Sequence, residues 1–201
     1  ERGEADILVG TQILTKGFDF GGVTTVGILN ADNLLTMPDF RASERAFQLM
    51  MQVAGRAGRR NDRGRVVIQT SQPNHPVIRF VATGDYHAMA NSELAERKAF
   101  CYPPYSHLTR ILLRHEDYNL LHHAAHALAE VMRKKFGDRV MGPVSAALEM
   151  LRGEHRAEII LKIESGASMQ RARKLLREAV SSVQDDTRYK TVKIAIDVDA
   201  L

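Results

Sequence analysis

Gln52-Val53-Ala54-Gly55-Arg56-Ala57-Gly58-Arg59 closes a segment whose periodicity sets the fold of the first half of the chain. From Ser43 the apolar residues Phe47, Met50, Met51 and Ala54 recur at i, i+3, i+4 and i+7, which predicts an amphipathic helix running toward Gly58. On that helix Arg56 and Arg59, three apart, share one face, and Gln52 lies one turn before Arg56. Two guanidiniums on one face can meet the oxygens of a single triphosphate. An arginine so placed in other NTPases stabilises charge on the transferred phosphoryl group and contributes roughly 10³ to 10⁵ in rate. Gly55 and Gly58 each weaken a helix by about 1 kcal/mol relative to Ala, so their presence beside the arginines points to room for a ligand. A merely solvated basic face does not explain that alternation of small residues and arginines.

Working outward, Ile7-Leu8-Val9 is a short apolar run ending in Gly10, which suits a buried parallel strand. Val23 to Leu29 is a second strand and Val66-Val67-Ile68 a third, with two short helices after Pro76. Strand, strand, helix, strand fits one edge of a parallel α/β sheet. The loop after the first strand carries Gly10-Thr11-Gln12 and Lys16-Gly17-Phe18-Asp19-Phe20, at the strand end where open α/β sheets hold ligands. The Thr11 hydroxyl, Gln12 amide and Lys16 ammonium all suit phosphate oxygens. The same stretch reads equally well as a polar connecting loop.

The proline pair in Lys98-Ala99-Phe100-Cys101-Tyr102-Pro103-Pro104-Tyr105 breaks the helical periodicity and places a domain boundary between residues 98 and 99. Beyond it, Leu108 to Leu113 reads as a strand, Leu121, Ala124, Leu128 and Met132 mark a helix, and Val144 to Leu151 and Ala157 to Ile163 read as two further strands. A helix with apolar Ala172, Leu175, Leu176, Ala179, Val180 and Val183 follows, and Val192, Ile194, Ile196 and Val198 alternate in a last strand. The order β-α-β-β-α-β is the ferredoxin-like split pattern, with two helices on one face of an antiparallel sheet and the other face open to a partner.

Composition bounds these readings. A chain of 201 residues, 44% hydrophobic, supports one or two compact domains. No apolar run approaches the roughly 20 residues that span a bilayer, and the polar start does not read as a signal peptide, so a cytoplasmic location without membrane partners is expected. The single cysteine, Cys101, makes neither an internal disulfide nor a cysteine-built zinc site, and reads as a small, partly buried hydrophobe. The net charge of +4 points to nucleic acid only weakly. Basic residues gather in the second half, at Arg152, His155, Arg156 and Lys162 and at Arg171, Arg173, Lys174 and Arg177, where they suit a DNA backbone or an acidic protein tail. His122 and His126 stand at i, i+4 beside His123, without a carboxylate at ligand spacing, and no metal site is assigned to them.

The loop from Gly10 to Phe20 resembles motif V of superfamily 2 helicases, and Gln52 to Arg59 resembles their motif VI. Leu29-Asn30-Ala31-Asp32, Pro38-Asp39-Phe40-Arg41-Ala42-Ser43-Glu44-Arg45, Gln69-Thr70, His75-Pro76, Glu96-Arg97, the Tyr-Pro-Pro-Tyr turn, Gly142-Pro143 and Asp197-Val198-Asp199 extend the likeness. Together they resemble the bacterial primosomal protein N′ (PriA) family of replication-restart DNA helicases over essentially the whole chain. The resemblance implies part of a RecA-like lobe over residues 1–98 and a DNA- or protein-interaction domain over 99–201. It further implies a 3′-to-5′ helicase that recognises stalled forks and initiates primosome assembly.

In that family's terms Arg56 and Arg59 face the nucleotide phosphates, Gln52 couples nucleotide to DNA, and Thr11, Gln12 and Lys16 touch the translocated strand or relay nucleotide state. Gly17 and Asp19 lie on the nucleotide side, and Gln170 and Arg171 contact the tail of single-strand DNA-binding protein. The expected partners are forked and single-stranded DNA, single-strand DNA-binding protein and other primosome proteins. ATP and magnesium, and zinc on cysteines upstream of residue 1, belong to the parent enzyme. No phosphate loop and no Asp-Glu-x-His magnesium motif occurs here, so these 201 residues alone are expected to bind without hydrolysing ATP and to hold no cofactor. The alternative is a nucleic-acid or protein-binding fragment of another superfamily 2 helicase, RecG-like, without activity of its own.

Overall fold

The computed structural model describes residues 6–11, 23–57 and 64–199, and divides into two compact units, residues 1–96 and 97–201. In the first unit β1 (Thr25–Ile28) pairs in parallel with β2 (Arg65–Ile68), Thr25 opposite Arg65 and Ile28 opposite Ile68. Between them run α1 (Asp32–Leu35) and α2 (Ala42–Ala54), and α3 (Pro76–Thr83) and α4 (Tyr86–Ala99) follow. The predicted stripe on α2 is buried at Phe47 and Met50, joined by Ala46, and packs with Ala31, Val77, Ile78, Val81 and Met89.

The run Ile7-Leu8-Val9, expected as a buried strand, is neither: among the described residues it pairs with no strand, and its side chains are exposed. An apolar run becomes a buried parallel strand only with a neighbour to bond and layers to cover both faces. Neither surrounds it among the described residues. Helix α3 shows its stops clearly. His75 Nδ1 accepts the Val77 amide at 3.3 Å, Pro76 occupies the first turn, and Gly84 ends the helix at φ 66°, a left-handed conformation that glycine adopts without strain.

The second unit runs β3 (Ser106–His115), α5 (Tyr118–Phe136), a 3₁₀ turn (Gly137–Arg139), β4 (Val140–Leu151), β5 (Glu154–Glu164), α6 (Met169–Gln184) and β6 (Lys193–Val198). All strand pairs are antiparallel, in the order β4-β5-β3-β6. Alternate residues Ile111, Leu113, Ala157, Ile159, Leu161 and Ile163 face both helices, meeting Leu121, Leu128 and Met132 of α5 and Leu176, Ala179 and Val183 of α6. Strand β4 is the least regular, with register shifts between Met141 and Val144 and between Ser145 and Met150. Gly142–Pro143 and Pro103–Pro104 are cis.

The opposite face of this sheet is a lattice of paired charges. Arg110 reaches Glu158 at 3.5 Å and Asp197 at 3.2 Å, and Glu154 accepts Lys193 Nζ at 2.6 Å with Arg114 3.7 Å away. Lys193 holds the Glu154 carboxyl below the usual range. This face is therefore covered by its own ion pairs and presents little net charge.

Candidate nucleotide and nucleic-acid site

Helix α2 delivers the arginine-bearing segment. Its entry is fixed by Asp39, which accepts the Arg41 amide at 2.9 Å and Arg45 Nη1 at 2.5 Å. Its exit differs from the expected helix toward Gly58. Regular helix stops at Ala54, and beyond Gly55 the amides of Arg56 and Ala57 turn back to Val53 and Ala54, at 3.0 and 3.1 Å. These are i→i−3 bonds, the tighter winding common at helix ends, and glycine is a poor helix former. Gln52 is thus exposed on the last helical turn, whereas half-buried Arg56 lies in the turn beyond it. A helix C-terminus carries partial negative charge, so any attraction for phosphate here comes from the guanidinium.

Thr11 is exposed at the end of the segment 6–11. Gln12, Lys16, Gly17, Asp19 and Arg59 lie outside the described residues. Of the residues expected to face nucleotide or DNA, the structure therefore describes Gln52 and Arg56 at one end of α2, and Thr11 apart in sequence.

One organising residue was not singled out by its chemistry in the sequence. Asp32, at the start of α1, accepts hydrogen bonds from Thr70 Oγ1, from the Ser71 amide at 2.8 Å and from Ser71 Oγ at 2.6 Å. Bonds from the Ser71 and Thr70 side chains and the Ser71 amide hold its carboxyl below the ordinary range. Beside it the Asn30 amide donates to Gln69 Oε1 at 3.1 Å and the Ala31 amide to the Gln69 carbonyl at 3.0 Å. The segments that follow β1 and β2 are thereby bound into one ridge. Nothing in the sequence pointed to this, because local patterns cannot pair residues 38 and 39 apart.

In the second unit, Gln170 and Arg171 occupy the exposed first turn of α6, which Ser168 caps by accepting the Arg171 amide at 3.3 Å. Arg173, Lys174 and Arg177 are exposed on the same helix. Lys162 is committed elsewhere. Its ammonium donates to the Phe100 carbonyl at 2.7 Å and sits 3.8 Å over the Tyr102 ring, and burial pushes its pKa down. Ser165 Oγ reaches the Pro104 carbonyl at 2.6 Å, so β5 and the residues after it tie down the proline turn. Cys101, expected to be partly buried, is exposed with φ 51° in that turn. Its backbone serves the turn, accepting Ser106 Oγ at 2.6 Å, and leaves the thiol at the surface.

Residues 98–201 match the family described as Primosomal protein N C-terminal domain, and residues 1–61 match the Helicase conserved C-terminal domain. The chain belongs to the primosomal protein N (PriA) family. Among its relatives, the replication restart protein PriA of Bacillus subtilis is 35% identical over 98% of this chain and 24% of its own length. That of Treponema pallidum is 41% identical over 88% of this chain and 27% of its own. The Haemophilus influenzae protein is 35% identical over 99% and 27%. The chain thus spans about a quarter of the length of these relatives. No helix among the described residues is long and apolar enough to cross a membrane.

Proposed function

We propose that this chain is the C-terminal portion of an ATP-dependent 3′-to-5′ DNA helicase that recognises stalled replication forks and initiates primosome assembly. The observation that carries the proposal is the succession, within 201 residues, of a helicase conserved C-terminal domain and a primosomal protein N C-terminal domain. The first unit is then the later part of a RecA-like lobe, and its parallel β1 and β2 with intervening helices agree with that. The second is a ferredoxin-like domain, supported by its strand-helix order and the β4-β5-β3-β6 sheet.

In this reading Arg56 and Arg59 supply cations to the nucleotide phosphates, Gln52 couples nucleotide to DNA, and Thr11, Gln12 and Lys16 meet the translocated strand. Gly17 and Asp19 complete the nucleotide side. A half-buried guanidinium in a turn at a helix end fits a phosphate donor set. Magnesium and ATP belong to the longer enzyme in this reading, the ion being held there by one or two carboxylates together with the nucleotide phosphates. Zinc bound through cysteines would need residues outside this chain, which has only Cys101. Forked and single-stranded DNA are the expected ligands in the cytoplasm, and exposed Gln170 and Arg171 the contact for the tail of single-strand DNA-binding protein.

Arg56→Ala in the longer protein that carries this chain tests the assignment. ATPase turnover should fall by roughly 10³-fold or more, with forked-DNA affinity retained. Turnover at the unaltered rate would remove Arg56 from the site. The 201-residue chain alone should bind DNA and release no phosphate from ATP above background.

A further inference from the structure

A cavity of about 230 Å³ opens between α5 and the β4–β5 hairpin, lined by none of the residues assigned above to the nucleotide, the translocated strand or the protein tail, although His155 and Arg156 of the basic group reach it. The element geometry makes one wall of it a line of rings. Tyr118, His122 and His126 stand at i, i+4 and i+8 on α5, one surface stripe, and β5 brings His155 up beside Tyr118. Tyr118 meets His155 edge-to-face at 5.5 Å and His122 at 6.0 Å, and His122 and His126 are 4.4 Å apart. Leu121 and Ala125 form an apolar floor, and the irregularity of β4 between Ser145 and Met150 makes the room opposite. These rings are available: Tyr118 is 54% exposed, and His122 and His126 are exposed as well.

The chemistry of the lining selects among ligands. No group of three or more His, Cys, Asp or Glu among the described residues is placed to hold a metal, and the imidazoles here lie against one another. The lining carries one guanidinium, Arg156, and one carboxylate, Glu149, so a free phosphate would meet little net positive charge there. An unstacked nucleobase fits better. It offers a flat face to the rings, and its edge carries the donors and acceptors that Ser145, Glu149 and the imidazole nitrogens complement. The volume lies below the roughly 300 to 1,000 Å³ of sites for larger ligands, which suits one ring system.

We propose that this cavity caps one unstacked base of single-stranded DNA, an inference that rests on the helicase reading above. Base–aromatic stacking is sequence-tolerant, so the pocket adds affinity without selecting a sequence. The test uses the whole 201-residue chain and a short oligothymidine carrying one 2-aminopurine, with anisotropy reporting affinity and 2-aminopurine emission reporting stacking. Tyr118→Ala with His155→Ala should weaken binding roughly 5- to 100-fold and abolish the quenching of emission on binding. Tyr118→Phe in the otherwise unaltered chain should keep the quenching, and His123→Ala, outside the cavity lining, should change neither readout. With the unaltered chain, an oligonucleotide made abasic at every position should lose affinity by a similar factor. That comparison holds even if the double variant proves unstable. Equal affinity for the abasic strand, or quenching that survives the double variant, would overturn the pocket while leaving DNA binding and the helicase reading intact. Failure of the chain to bind any single strand would overturn the pocket too, and the Arg56 ATPase test would decide the helicase reading separately.

Discussion

Asp32 illustrates how one side chain can organise a ridge that no local pattern reveals. It accepts three hydrogen bonds from Thr70 and Ser71, across the ends of β1 and β2, and its carboxyl is held below the ordinary value of about 3.9. A carboxylate whose folded pKa is depressed adds stability that is present above the unfolded pKa and lost as pH falls through the folded one. The first unit should therefore lose stability as pH drops below about 4. Asp32→Asn should lower its melting temperature at pH 7 and flatten that acid dependence. Paired thermal melts at pH 7 and pH 3, followed by a probe within residues 23–57, would show this; an unchanged pH 7 melt would mean that the three bonds do not hold the ridge. The arginines of the candidate nucleotide site, by contrast, stood out as a pattern because they are close in sequence. Yet the helical register used to place Arg56 with Gln52 shifts at Gly55, where the backbone changes its winding.

At the scale of elements, legibility followed local regularity. The apolar residues of helix α6, from Ala172 to Val183, stood at strict helical spacing and marked it in the residues, while its N-cap, Ser168 accepting the Arg171 amide, came only with the structure. Ser168→Ala should destabilise the second unit by about 1 kcal/mol, a fall of roughly 4 to 8 °C in its melting temperature. Calorimetry of the variant tests it, and a shift under 1 °C would mean that water serves the first-turn amides equally well. Strand β4 was hard to read for a physical reason. Gly142-Pro143 and the extra residues between Ser145 and Met150 break the alternation on which strand recognition depends. Ile7-Leu8-Val9 failed in the opposite way: the run is apolar enough for a strand, but a strand is defined by its neighbours and none among the described residues pairs with it. The pocket beside α5 combines both effects. Its helical histidines stood out by their spacing and Tyr118 lies one turn before them on α5, while His155 joined them only once β5 was laid against β3 and α5.

For the molecule as a whole, the two units differ in how much of a core each encloses. Among the described residues, twenty buried side chains form the cluster of the second unit, between two helices and a four-stranded sheet. Among the same described residues, eight form that of the first, and its sheet is a single parallel pair. A two-stranded sheet is marginal by itself, and parallel strands normally require cover on both faces. Val67 in β2 is nevertheless 46% exposed and Leu29, just after β1, 74%. Burying apolar surface must offset a chain entropy of about 1 to 2 kcal/mol per ordered backbone residue, so the smaller core leaves less margin. Residues 97–201 produced alone should therefore fold, with dispersed amide resonances and one cooperative melt. Residues 1–96 alone should melt gradually and exchange their amides quickly. Ile159→Ala, which empties a fully buried position in the larger cluster, should cost the isolated second unit about 2 to 5 kcal/mol and leave the spectrum of residues 1–96 untouched in the whole chain. A collapsed spectrum for 97–201, or a sharp melt for 1–96, would show that core size does not set the division of stability, and that the first unit draws on contacts other than its eight buried side chains.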